Sequence, residues 1–563
     1  MQYTAQGNIR KTGRGKLRMV LISISLFIAI AAIAGLWYWK TKKNVIIKNE
    51  LEKAIEKNND GFYRISYDDM KVNQDSGSLL ITNMHLTYDS LRYVIDEQNN
   101  QAQPMLFKIY IPEISVVGVK TKKALLDKEI VGRKLEIKNP VVDLEYTYQG
   151  EDSIRNIPTR EIYQQVLGNL DLVQIDTVLI TGAQLRTKNR KTRKSIIDIK
   201  DISVALMNVK IDSAAYYDST RYLFAREIDV NIDKIVLPSQ DNYYAYLAKN
   251  IALNSATGNL QIQQFSILPL LDENSFVNSV PTQDDRLNFT FNNINFVSVD
   301  IDKALNEYLQ AESMTISSAS FKIYRDLARP RDKINRVGMY PHQVMDNLPL
   351  LFNIKKVFVR NSFVEYKERN HITRQSGRVQ FYNVNAAITN FTNDKKRGVG
   401  ETMKAVINSS FLNKTPLKTY WTFYLFNSNG RFDVAGTVGP MDATQLNPLT
   451  EPMGPATIEE GRLNGMEFKL SGNNHKMTGN LKVLYENLDL ALLEKDIGAT
   501  ETDKKFLSSF LANIMIKNSN PKGDDEVRVA QVDLARDINR SLFNLCWKSI
   551  FQGLRESIGV KQK

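Results

Sequence analysis

At 563 residues the chain is too long for one small domain and fits either one elongated fold or two to four compact ones. Its single cysteine, Cys546, excludes an intramolecular disulfide and a cysteine-built zinc site, and 43% hydrophobic with 24% charged residues excludes a collagen-like or broadly disordered chain. The net charge of +12 does not mark a nucleic-acid binder: Arg10, Lys11, Arg14, Lys16 and Arg18 fall in a tail without acids, and the other cations alternate with acids along the chain.

Residues 1–18 form that basic tail, and Met19–Trp39 follows without a charge. Twenty-one residues at a helical rise of about 1.5 Å span roughly 30 Å, the hydrocarbon thickness of a bilayer. Trp37, Tyr38 and Trp39 sit at one end, where aromatic rings favour the headgroup region. The segment from Met19 to Trp39 therefore reads as a single-pass signal anchor. A cleaved signal peptide is the rival, because Ala32-Ile33-Ala34 fits a small-residue cleavage site. Lysines and arginines are nearly balanced on the two flanks, so charge does not assign the side. Residues 40–60 then place Val45, Ile46, Leu51, Ala54 and Ile55 at helical spacing, an amphipathic linker into the body.

The body repeats itself. Gly77, Leu79, Ile81 and Leu86 return as Gly258, Leu260, Ile262 and Ile267, each 181 residues on. Val117, Val119, Lys123 and Ala124 return at 180, and Leu135, Ile137, Val178 and Ile180 return as Met314, Ile316, Val357 and Val359 at 179. So slow a drift predicts two copies of one architecture. The first β-groove unit covers 61–212, and the second, its duplicate, falls within 213–394. Inside them one figure recurs in LLITNMHLTY, LEIKNPVVDL, VLITGAQLRT, MTISSASFKI and VFVRNSFVEY, with apolar residues at positions zero, two, seven and usually nine. Alternation at zero and two is a half-buried strand, but the gap to seven would put the later residues on the opposite face. Two solutions keep one apolar face: a hairpin with a two-residue turn at positions four and five, or a bulge in one bent strand.

Residues 159–170 and 341–352 interrupt the strands, the first with helical spacing. Residues 395–520 begin a further strand-rich region punctuated by glycines. Residues 521–563 supply a polar loop and a helix with Phe543, Trp547, Ile550 and Leu554 along one face. That face either packs as a lid over the last strands or touches a membrane or partner. The four histidines show no metal-ligand spacing, and no nucleophile elbow or phosphate loop occurs. No catalytic, cofactor-binding or metal residues are assigned, and the chain is not expected to be an enzyme.

The anchor, followed by FYRISYDDMKVNQDSGSLLITNMHL, KLEIKNPVVDLEY, Asn156-Ile157, a short helix and IDTVLITGAQLRTKN, resembles the AsmA-like proteins of bacterial envelopes. The block from FDVAGTVGPMDATQLNPLTEP to GNLKVLYENLDL and the tail RDINRSLFNLCWKSIFQGL are similar to the C-terminal part of that family. In the second unit, RDLARPRDKINRVGMYP replaces the loop holding Asn156-Ile157 and departs from the pattern. The resemblance implies an elongated, curled antiparallel β-groove lined with apolar side chains. It also implies an inner-membrane anchor with the bulk in the periplasm, membrane lipids (phospholipid foremost) as ligands, and an envelope or outer-membrane protein as a further partner. The expected lining is Leu79, Ile81, Leu86, Leu135, Ile137, Val178, Ile180, Leu260, Ile262, Met314, Ile316, Val357 and Val359. Lipid transport or homeostasis between envelope membranes is the expected function. The alternative is a structural or assembly factor for outer-membrane biogenesis without lipid cargo, and an envelope hydrolase stands third.

Overall fold

A computed structural model describes residues 62–559, apart from 147–170, 493–516 and short gaps at 74, 100, 102–104, 121–122, 124–126, 128, 191–194, 213, 216–217, 223, 240, 349, 372–373, 398–400 and 454–455. The basic tail, the segment Met19–Trp39, the linker and the 159–170 segment lie outside the described residues.

Among the described residues one curled sheet of 22 strands forms the body, and its strands follow one another almost in chain order. The first stretch holds β1 (Tyr63–Ser66), β2 (Asp69–Asn73), β3 (Ser78–Tyr88), α1 (Ser90–Gln98), β4 (Met105–Val117), β5 (Glu129–Lys138), β6 (Val141–Tyr146), β7 (Leu172–Asn189), β8 (Ser195–Ile211) and β9 (Glu227–Pro238). Next come β10 (Tyr244–Asn254), β11 (Asn259–Pro269), α2 (Glu273–Ser279), β12 (Arg286–Val297), α3 (Ile301–Leu305), β13 (Tyr308–Asp326), α4 (Pro341–Met345), β14 (Leu351–Arg369) and β15 (Ser376–Thr392). The last stretch holds β16 (Thr402–Phe411), β17 (Thr415–Tyr424), β18 (Phe432–Val438), β19 (Met441–Asp442), α5 (Asn447–Met453), β20 (Ala456–Gly472), β21 (Lys476–Leu492), β22 (Val529–Ala535) and α6 (Leu542–Ser557).

The sheet is mixed, which corrects the antiparallel expectation. Strand β7 runs parallel to β5 and β6, and β14 runs parallel to β13, while the other pairings are antiparallel. A parallel neighbour cannot be reached by a tight turn and needs a crossover of a dozen residues or more. Between β6 and β7 and between β13 and β14 the chain must make such a connection, so the two interruptions seen in the sequence fall at the two parallel junctions.

The recurring figure is a bent strand and not a hairpin. Strands β3, β7, β13 and β14 run through it without reversing, and β5 and β6 pair with the same neighbours in the same sense on either side of Asn139-Pro140. Except in β13, which has no positive-φ residue, the bend in these strands and in β10 and β12 is a residue in the left-handed region: Asn83 (φ 49°), Asn139 (51°), Gly182 (63°), Asn250 (47°), Asn293 (49°) and Asn361 (45°). Asparagine and glycine enter that region at low cost. Register is mostly kept across it, since Ile262 faces Ile294 and Gln264 faces Asn292 on either side of Asn293. What changes is parity. In β3 the buried side chains are Leu79 and Ile81 before Asn83, then Met84, Leu86 and Tyr88 after it.

A second row follows Gly77 (φ 59°), Gly118 (75°), Asn208 (54°), Gly258 (63°), Ser298 (55°) and Asn390 (60°). Gly77 accepts a hydrogen bond from Val119 N, and Gly258 accepts one from Val299 N. A Cβ on Gly77 would stand 2.3 Å from the Val119 carbonyl oxygen, so the close approach of the strands needs glycine there.

We expect Asn293→Val, at an exposed bend, to cost about 1–2 kcal/mol in urea unfolding, because a β-branched residue resists the left-handed region. Asn293→Gly should change stability little. Equal tolerance of both would contradict the bend assignment.

Candidate apolar trough

Three buried clusters lie along the sheet, and they are not equivalent. The first is closed: Leu79, Ile81, Leu86, Leu135, Ile137, Val178 and Ile180 are all at or below 5% exposure and pack with Met84, Ile109, Ile111, Ile114 and Leu206. These seven expected lining residues belong to a filled core. In the second cluster Ile316 and Val357 are buried, whereas Leu260, Ile262, Met314 and Val359 are half-buried.

Past the bends, the same face of β11 to β16 carries phenylalanines. Phe265 pairs with Phe291, Phe289 with Phe321, and Phe381 with Phe411, each directly across neighbouring strands. Ring centroids of Phe289 and Phe291 stand 5.3 and 5.1 Å from that of Phe321. All six rings are half-buried, and no described element covers them completely. Ile235, Leu237, Ala248 and Ile267 extend the face towards β9, again half-buried. The result is an apolar trough whose wall is continuous across at least seven strands. Phe321 and Ile323 occupy positions seven and nine of the recurring figure, positions that in the second unit were not assigned as lining.

Polar groups and the C-terminal segment close one end. Arg325 donates to both carboxylate oxygens of Asp285 at 2.7 Å. Arg540 Nη2 donates to Gln283 Oε1 at 3.0 Å, Tyr366 Oη donates to Glu368 Oε2 at 2.6 Å, and the Phe543 ring stands 5.2 Å from Tyr366. Burial pushes the Tyr366 hydroxyl up, and burial also raises Glu368 above the usual carboxylate range against the Tyr366 hydrogen bond and the Arg325 charge. The crossover 327–350 braces this end. Arg336 forms an ion pair with Asp332 at 2.7 Å and donates to the Asn539 carbonyl at 2.6 Å. Tyr340, fully buried, donates to the Asn473 carbonyl at 2.8 Å beneath the Arg536 guanidinium. Next to it His342 is buried against Phe423 with neither ring nitrogen hydrogen-bonded, and burial lowers its pKa to about 4, so it is neutral at pH 7.

Helix α6 packs on β21 and β22, as a lid would, but through a stripe rotated from the expected one. Leu545, Ser549, Gly553 and Ser557 are buried, Ile550 and Leu554 pack partly, Trp547 is intermediate, and Phe543 is 41% exposed. Small residues let the helix approach so closely that a Cβ on Gly553 would lie 3.0 Å from Leu481 Cβ. Burial raises the Cys546 thiol to about 12, which leaves it unreactive at neutral pH. On the opposite face of the sheet a charged cleft of about 210 Å³ lies between Arg286, Lys322, Lys367, Arg378, Glu273 and Glu365. Among the described residues no three histidine, cysteine, aspartate or glutamate side chains come together as metal ligands, and no helix is long and apolar enough to cross a membrane. The chain matches no family model and no curated protein.

Glu368 sets a pH dependence. Its folded pKa lies above its unfolded value, so the folded state holds the proton more tightly. The contribution is present below the unfolded pKa of roughly 4.3 and is lost as pH rises through the raised folded value. Glu368→Gln should therefore gain melting temperature relative to the parent as pH rises across that window. A difference independent of pH would contradict the assignment.

Proposed function

We propose that the protein binds lipid acyl chains in the trough of β9 to β16 and takes part in moving or balancing lipids between membranes of a bacterial envelope. The observation that carries this reading is the half-buried row Phe265, Phe289, Phe291, Phe321, Phe381 and Phe411, an apolar wall left with solvent contact along adjacent strands. Covering apolar surface is worth roughly 25 cal/mol per Å², or about 0.8 kcal/mol per methylene, so an acyl chain laid along the wall is held without any directional contact. Such a wall does not select one chain position over the next, which suits sliding cargo and needs no catalytic residue.

In this reading Met19–Trp39 anchors the chain in the inner membrane and the body lies in the periplasm. Strands β9 to β15 of the trough belong to the second of two copies of one unit, 61–212 and 213–394, and β16 extends the wall past it. Three observations support the duplication. Strands β10 and β11 occupy the places that β1 with β2 and β3 hold in the first stretch, the parallel junctions β5/β6–β7 and β13–β14 fall at matching points, and the Gly77–Val119 hydrogen bond has its counterpart in Gly258–Val299. The first copy fills its interior with aliphatic side chains, and the second keeps its wall open. Phospholipid is the expected ligand. The scaffold reading rests on the closed first core: a chain that served only to assemble outer-membrane components would have its apolar face packed against itself throughout.

A photoreactive benzoylphenylalanine in place of Phe291 or Phe321 should capture acyl lipid in cells, and the same probe at Asn288, on the other face, should not. With the probe at 321, Phe291→Asp should reduce the lipid adduct several-fold. Adducts only to the chain's own residues would support the scaffold reading and overturn lipid binding.

A further inference from the structure

Helix α1 is amphipathic the wrong way round for a surface helix. Its buried side chain is Tyr93, and Leu91, Val94 and Ile95 point outward at 80%, 43% and 56% exposure. At 100° per residue these three share one arc, opposite Tyr93. The acids Asp96 and Glu97 are only half-exposed, and Tyr93 Oη contacts Glu97 Oε1 at 3.4 Å. Helix α2 follows β11 as α1 follows β3 and buries Phe276 four residues after its cap Asp272, as α1 buries Tyr93 four residues after Asp89. Yet α2 turns Asn274, Ser275, Asn278 and Ser279 to solvent. The outward apolar ridge is therefore particular to α1 and not a requirement of this place in the sheet.

Two neighbours say what covers it. The cap residue Asp89 donates from its backbone N–H to the Phe62 carbonyl at 2.7 Å, so α1 stands where the chain enters the body, 22 residues after the apolar segment that ends at Trp39. Cations also gather beside the helix. Arg190 stacks 3.9 Å from the Tyr93 ring centroid. Lys108, Lys188 and Arg190 all converge on one carboxylate, Glu145, at 3.7, 3.1 and 3.5 Å, three cations against one acid on the Tyr93 side of the helix. An outward apolar ridge on a helix seated over a cationic group matches a bilayer surface with anionic headgroups.

We propose that α1 is an interfacial helix that docks onto an anionic phospholipid bilayer, inserting Leu91, Val94 and Ile95 among the headgroups while Lys108, Lys188 and Arg190 face the lipid phosphates. The proposal rests on the reading of Met19–Trp39 as a membrane anchor and does not depend on lipid cargo in the trough. Docking would fix the first stretch of the sheet against the membrane from which the chain emerges.

The test uses the full chain carrying Val94→Cys labelled with an environment-sensitive fluorophore, reconstituted into liposomes of phosphatidylcholine alone or with about 30% phosphatidylglycerol. Unmodified chain, whose Cys546 is half-buried against the sheet, is the labelling control. Flotation reports the anchor, and quenching by brominated lipid reports α1. The expected result is co-flotation in both, with quenching several-fold stronger in the anionic liposomes and abolished by Leu91→Glu with Ile95→Glu. Co-flotation without quenching overturns docking and leaves the anchor standing. Failure to float overturns the anchor and docking together. A probe shielded from aqueous iodide but not quenched by brominated lipid shows that protein covers the ridge, and also overturns the proposal.

Discussion

A strand turns successive side chains to opposite faces, and a sheet that must curl with one apolar face cannot run long strands straight through the curve. The left-handed residues at Asn83, Asn139, Gly182, Asn250, Asn293 and Asn361 resolve this conflict. The bend shifts parity by one residue while the neighbours stay largely in register, so a strand as long as Leu351–Arg369, bent at Asn361, keeps its apolar residues on one side. Because the bends recur from strand to strand, the whole sheet bends along rows. The core, the trough and the polar end all take their places from that.

The bends were legible in the sequence as the spacing zero, two, seven, nine, since a parity shift must be written into the positions of the apolar residues. Their physical form was not. A hairpin and a bent strand bury the same side chains, and only pairing partners distinguish them. The parallel junctions were visible only as interruptions at 159–170 and 341–352, because local pattern records burial and not strand direction. The α6 face was misplaced for a related reason. Counting large apolar residues points to Phe543, but the contact is made through Ser549, Gly553 and Ser557, where smallness permits approach.

Openness was the least legible property. Leu79-x-Ile81 and Leu260-x-Ile262 have the same pattern, yet the first pair sits in a filled core and the second beside a half-covered wall. What a face packs against depends on residues far away in sequence: Met84, Ile109 and Ile111 fill the first interior, whereas phenylalanines lie edge to face in the second and stay half-buried. The Arg540–Gln283 hydrogen bond and the crossover contact of Arg336 with the Asn539 carbonyl then hold the C-terminal segment at the trough's end. One sheet thus supports a solid portion and a hollow one.

The central claim, that the second stretch is a lipid trough, is tested most directly by an experimental density map of the full chain purified from cells. The account predicts elongated density, not attributable to protein, lying along Phe265, Phe291 and Phe321 on the half-buried face. A wall covered by the chain's own residues, with no space for an acyl chain, would contradict it.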